Sequence, residues 1–130
     1  VNTMRAILAG LALALLIASP VSAAPKTPTG TLTITSLDAT IGGAVTFSAT
    51  TANLKGYQYP LVYLACVVDG RTVYGQLALP SDTFILGGGS SPWIDPNDPD
   101  YLAPATCTAY LYVYPGPSDL LDQTAPFLVG

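Results

Sequence analysis

The search for chemistry in this chain begins with what is missing. Its 130 residues include no histidine, which rules out Ser-His-Asp and Cys-His nucleophilic sites and zinc sites of the usual His/Cys type. There is no P-loop, GxGxxG or HExxH pattern, and the run Gly87-Gly88-Gly89 lacks the lysine and following helix of a phosphate cradle. Every carboxylate side chain is an aspartate. Asp95, Asp98 and Asp100 lie close together in WIDPNDPDY, but acid/base work needs one carboxyl desolvated enough to raise its pKa. A proline-rich stretch offers no such environment, so no enzyme is expected. With Asn97, the same stretch presents hard oxygens of the kind calcium takes. Pro99 interrupts the set, no bidentate Glu follows, and Asp and Asn beside proline are turn formers in their own right. No cofactor or metal is therefore expected, with calcium at Asp95, Asn97, Asp98 and Asp100 as the alternative.

The residue types that remain are suited to binding. In ATCTAYLYVYP (105–115), Cys107, Ala109, Leu111 and Val113 alternate with Thr106, Thr108, Tyr110, Tyr112 and Tyr114. Such alternation of aromatic and β-branched residues marks a strand in a two-faced sheet. A second run, YPLVYLACVV, holds Cys66 with Val62, Leu64 and Val68 on one side and Tyr63 on the other. Either the cysteine face is the core and the tyrosines form an exposed ladder, or the tyrosines face inward and the sulfurs lie outside. Exposed tyrosines would offer rigid amphipathic area to proteins and stacking planes to sugars. They would also stabilise the sheet with no partner at all.

The compartment follows from the first residues. After Met4 and Arg5 comes the apolar run Ala6 to Ala18, then Pro20 and the small residues Val21-Ser22-Ala23, the order of a secretory signal peptide cleaved after Ala23 or Ala24. The run of about 13 residues falls short of the roughly 20 that span a bilayer. Val1 to Thr3 read as residues upstream of the start at Met4. No membrane insertion is expected after cleavage, and the mature chain is expected to be released to the extracellular space. Two cysteines in a small exported protein are expected to pair, the alternative being two buried thiols. Closing a loop of about 40 residues stabilises by roughly 4 kcal/mol. Lys26, Lys55 and Arg71 are the only cations after the leader, against eight aspartates, which argues against nucleic acid and anionic membranes as partners.

The domain layout is then a signal peptide over residues 1–23, a flexible Pro/Thr-rich arm over 24–30, and one all-β domain over 31–130. Strands are predicted at TLTITSLD, AVTFSATT, Tyr59 to Val68, RTVYGQLAL, Thr83 to Leu86, Ala105 to Tyr114 and Thr124 to Val129. Asp69-Gly70 is the strongest hairpin signal. Gly87 to Pro104 is the long irregular segment. About seven short strands with regular turn signals and no amphipathic helix predict a Greek-key β-sandwich.

The stretches GGAVTFSATTANLKG, YPLVYLACVV and ATCTAYLYVYP resemble those of immunoglobulin-like domains, in particular the small secreted immunoglobulin-like proteins of actinobacteria and their phages. The resemblance runs from Thr31 to Val129. It implies that the third and sixth predicted strands are neighbours in one sheet, with Cys66 and Cys107 bridged across them. The chain departs from antibody-type domains in three places: the second strand has no cysteine, Ala105 stands where a corner tyrosine would, and Trp93 lies in the long segment rather than in the third strand.

The expected function is a secreted, non-enzymatic binding or adhesion module at a cell or virion surface, contacting protein or glycan through Tyr63, Tyr110, Tyr112 and Tyr114 or through Trp93. The alternative is a self-assembling subunit of an extracellular filament or layer, whose free arm adds a strand to another copy. A secreted inhibitor presenting Gly87 to Pro104 is a third class.

Overall fold

The computed structural model describes residues 26–87, 104–116 and 120–130. The leader (1–23), Trp93 and the calcium candidates Asp95, Asn97, Asp98 and Asp100 lie outside the described residues. Eight strands follow one another: β1 (Thr29–Leu37), β2 (Ala44–Ala52), β3 (Tyr59–Val68), β4 (Arg71–Ala78), β5 (Phe84–Ile85), β6 (Ala105–Tyr114), β7 (Leu120–Gln123) and β8 (Phe127–Val129). They form two antiparallel sheets. The first has the order β1-β2-β5, and the second β4-β3-β6, with β7 and β8 side by side along the far edge of β6. The β2–β3, β4–β5 and β5–β6 connections all pass between sheets, which is the Greek-key wiring of a β-sandwich.

Alternation decides what lies inside. Val62, Leu64, Cys66 and Val68 of β3 and Cys107, Ala109 and Leu111 of β6 are buried with Leu32, Val45, Phe47 and Phe84 of the first sheet in one core. Phe47 and Phe84 meet edge to face, with centroids 5.2 Å apart, a favoured aromatic geometry. Cys66 and Cys107 are directly opposed in the β3–β6 register and are bonded, with Cα atoms 4.0 Å apart. Both are fully buried, so the cysteine face is the core face and the tyrosines point outward. The hairpin joining β3 to β4 turns at Asp69 (φ 47°) and Gly70 (φ 76°), two left-handed residues as a type I′ turn requires.

Two polar side chains close gaps that the strands leave. Asp122 of β7 accepts the Leu32 N–H at 2.7 Å, tying the edge strand of one sheet to the edge of the other. Thr124 bridges the break between β7 and β8. Its N–H donates to the Ala109 carbonyl at 3.0 Å, and its hydroxyl accepts the Ala109 N–H at 3.1 Å. A side chain there replaces a missing ladder carbonyl, satisfying an amide that would otherwise be buried unpaired.

The main differences from the sequence prediction lie at the two ends of the domain. Thr29 and Gly30, assigned to the flexible arm, pair with Ala52 and Thr51 and open β1. The last strand, predicted over Thr124 to Val129, begins at Phe127, because Pro126 has no N–H to give a ladder. Leu120–Gln123, outside every predicted strand, is a strand of its own.

Replacing Thr124 with Val should orphan the Ala109 N–H and cost about 1–3 kcal/mol, read as a lowered urea midpoint at unchanged slope. Thr124→Ser, which keeps the hydroxyl, should cost less; equal losses in the two variants would show that the hydroxyl has no such role.

Candidate functional site

The outer faces of the two sheets differ in chemistry. On the first sheet, Thr31, Thr33 and Thr35 of β1 run beside Thr46, Ser48 and Thr50 of β2. Their hydroxyls bond to one another, Thr31 with Thr50 and Thr35 with Thr46 at 2.8 Å. That face is occupied with itself.

The outer face of the second sheet is aromatic and aliphatic. The β3–β6 register sets Tyr63 opposite Tyr110, Leu61 opposite Tyr112, and Tyr59 opposite Tyr114. On the flanks, Leu77 of β4 stands opposite Tyr63, and Leu120 of β7 opposite Tyr112. Four of these side chains are well exposed: Leu77 (60%), Tyr114 (52%), Leu120 (47%) and Tyr59 (41%). No charged side chain stands among these residues. Toward its other end the same face carries Ala65 and Gly75 opposite each other, Thr108 across from Ala65, Val67 opposite Thr106, and exposed Leu128 of β8 beside Thr106. The aromatic content is thus gathered at the end of the sheet where β3 begins and β6 ends.

Ring geometry follows from the register. Tyr63 and Tyr110 lie within 23° of parallel with centroids 6.5 Å apart, and Tyr110 and Tyr112 within 33° at 6.3 Å. Separations of this size belong to offset rather than eclipsed pairs, so the three rings overlap little and form a continuous aromatic row. Tyr59 meets Tyr114 at 60° and 5.5 Å, standing as a wall at the end of the row. Within this frame of tyrosines Leu61 is the short side chain. Above it opens a groove of about 350 Å³, lined by Leu61, Tyr63, Leu77, Tyr112, Tyr114, Val113 and Gly116.

One glycine determines how Tyr63 lies. A β-carbon at Gly75 would sit 2.7 Å from Tyr63 Oη and 3.2 Å from its Cε2, so the far end of the ring rests on the neighbouring strand where a side chain would be. Gln58 Nε2 donates to the Pro115 carbonyl at 3.2 Å, joining the β2–β3 loop to the turn after Tyr114. The Tyr114–Pro115 peptide is cis.

Of the residues singled out in the sequence, Tyr63, Tyr110, Tyr112 and Tyr114 are brought together on this face. Tyr59, Leu61, Gly75 and Leu77 were not singled out, although the alternation of Tyr59, Leu61 and Tyr63 on β3 was there to be followed. Among the described residues no cluster of three or more His, Cys, Asp or Glu could hold a metal, and no helix is long and apolar enough to cross a membrane. No protein-family model, curated protein or solved structure matches the chain.

A further tyrosine, Tyr74, lies on the opposite side of the same sheet, fully buried, with its hydroxyl donating to Gln76 Oε1. Burial pushes its phenol up to about 12. The unfolded chain releases this proton near the ordinary tyrosine value of about 10, so it binds fewer protons than the folded state above that pH. Stability therefore falls as pH rises from about 10 towards 12. Urea midpoints across that window should drop more steeply for the native protein than for Tyr74→Phe. Parallel slopes would remove Tyr74 as the cause.

Proposed function

We propose that the protein is an exported, non-enzymatic binding module that engages a cell or virion surface through the outer face of the second sheet. The observation that carries this reading is the gathering of exposed Tyr59, Leu77, Tyr114 and Leu120 around half-buried Tyr63, Tyr110 and Tyr112 on one uncharged face. Soluble domains seldom leave contiguous apolar patches of more than a few hundred Å² without a partner. Tyrosine suits such a surface, because it brings large rigid area at little entropic cost and keeps a hydroxyl at its tip.

Export is supported by the leader-like first 23 residues and by a disulfide that needs an oxidising compartment. The resemblance to secreted immunoglobulin-like proteins agrees with the same reading. Self-assembly by strand donation finds less support. Thr29 and Gly30 are already paired within their own sheet, so a donated arm would have to come from residues before them.

The test uses the mature, oxidised protein, fluorescently labelled and incubated with intact cells of the species that produces it. Tyr110→Ala/Tyr112→Ala should lower binding at least tenfold, while Thr33→Val/Ser48→Val on the other sheet should leave it unchanged. The tyrosine variant should stay folded, since cross-strand aromatic pairs contribute only about 0.2–1 kcal/mol each. Equal binding by native protein and tyrosine variant would sink the proposal.

A further inference from the structure

Resting on that reading, we infer that the face takes a neutral polysaccharide, with one pyranose ring seated over Leu61 and its neighbour laid on the Tyr63–Tyr110 pair. Three observations converge on this partner.

The first is charge. No ionisable group that is charged near neutral pH stands among the described residues of the face, and the whole chain carries a formal charge of −4. An anionic polymer would find no cation here and would meet net repulsion. A cationic peptide would find no carboxylate to pair with. A neutral partner loses nothing by this.

The second is the attitude of the rings. Because Gly75 lacks a side chain, Tyr63 rests on the sheet, its hydroxyl end where a β-carbon would clash at 2.7 Å. Tyr110 follows that plane within 23° and Tyr112 follows Tyr110 within 33°. An aromatic face carries negative quadrupolar charge. The C–H face of a pyranose is its complement, weakly positive and poorly hydrated, and it is attracted by the same electrostatics that draw cations to such rings. The equatorial hydroxyls of the sugar then project sideways toward the phenol groups, which both donate and accept.

The third is the shape of the depression. The groove of about 350 Å³ lies at the small end of the range for binding sites of small molecules. It is open along the sheet rather than enclosed, and continuous with the tyrosine row. Such a site holds one or two units of an extended polymer and lets the rest of the chain pass on. It is built on paired strands, so little ordering is needed when the polymer binds.

The experiment has two parts. Native affinity electrophoresis is run in gels containing a soluble β-glucan, xyloglucan, galactomannan or dextran, with polygalacturonate as the anionic control. At least one neutral polymer should retard the native protein and polygalacturonate should not. Leu61→Phe, which fills the depression, and Gly75→Ala, which lifts Tyr63 from the sheet, should each weaken retardation about tenfold while keeping a native thermal transition. Retardation that survives both substitutions overturns the inference. In parallel, the cells bound by the native protein are treated with periodate, which cleaves sugar diols and spares the polypeptide backbone of surface proteins. Loss of binding supports a glycan partner. Binding that persists after periodate but is lost in Tyr110→Ala/Tyr112→Ala overturns the glycan and leaves the tyrosine face as a protein-binding surface. Absence of cell binding by the native protein overturns both.

Discussion

The pairing of β3 with β6, locked where Cys66 faces Cys107, is the constraint on which the rest depends. These two strands form the longest ladder of the second sheet, running from Tyr59–Tyr114 to Val67–Thr106. A slip of β6 by one residue against β3 would turn Ala109, Leu111 and Val113 outward and Tyr110, Tyr112 and Tyr114 inward. Covalent closure at one register removes that alternative. It also constrains an unfolded chain that has only a small domain's core with which to offset its entropy. Once the register is set, the positions of Tyr63, Tyr110 and Tyr112 on one surface are no longer independent facts. They follow from the same two-residue repeat that buries the cysteines.

The two outer faces show what that repeat can be used for. On β1 and β2 the outward positions hold threonine and serine, whose hydroxyls pair across the strands and whose branched carbons suit a pleated surface. Such a face is soluble without charge and offers little area to a partner. On β3 and β6 five of the outward positions hold tyrosine, half-buried at Tyr63, Tyr110 and Tyr112 and exposed at Tyr59 and Tyr114. A sheet needing only stability would have served as well with threonines on both sides. The concentration of aromatic rings at one end of one sheet, beside a groove, is the asymmetry that points to binding.

Much of this was legible in the sequence. The alternation in 105–114 and 59–68 and the Asp-Gly turn lead to β3, β4 and β6, and the two cysteines to the joining of β3 with β6. Two features hid the rest. In β4 the register skips a residue, with Cys66 facing Tyr74 and Val67 facing Thr72, so Val73 bulges. Val73 and Tyr74 are then both buried, and simple alternation counted from Val73 would have put Gly75 and Leu77 in the core. A bulge carries no sequence mark of its own here, because its cause is the fit of Val73 and Tyr74 to a core built by other strands. The second feature was the tail, where a threonine side chain stands in for a backbone group. That substitution depends on which amide lies opposite, and only the fold supplies the opposite strand.

The bulge also connects the core to the surface. By turning Tyr74 inward it directs the next residue, Gly75, outward beneath the ring of Tyr63. Had the strand kept strict alternation, a core residue would occupy that place and Tyr63 would have no bare backbone to lie on. An aromatic ring resting on a glycine in an edge strand is a recognised way of restoring lost sheet stability, and here it has a second consequence. It lets the end of the Tyr63 ring lie over the backbone of Gly75, within 23° of parallel to Tyr110. The same arrangement that repairs the edge strand lays one aromatic ring over the backbone of the outer face. For that reason stability and recognition at Gly75 are expected to be separable only by the attitude of one tyrosine.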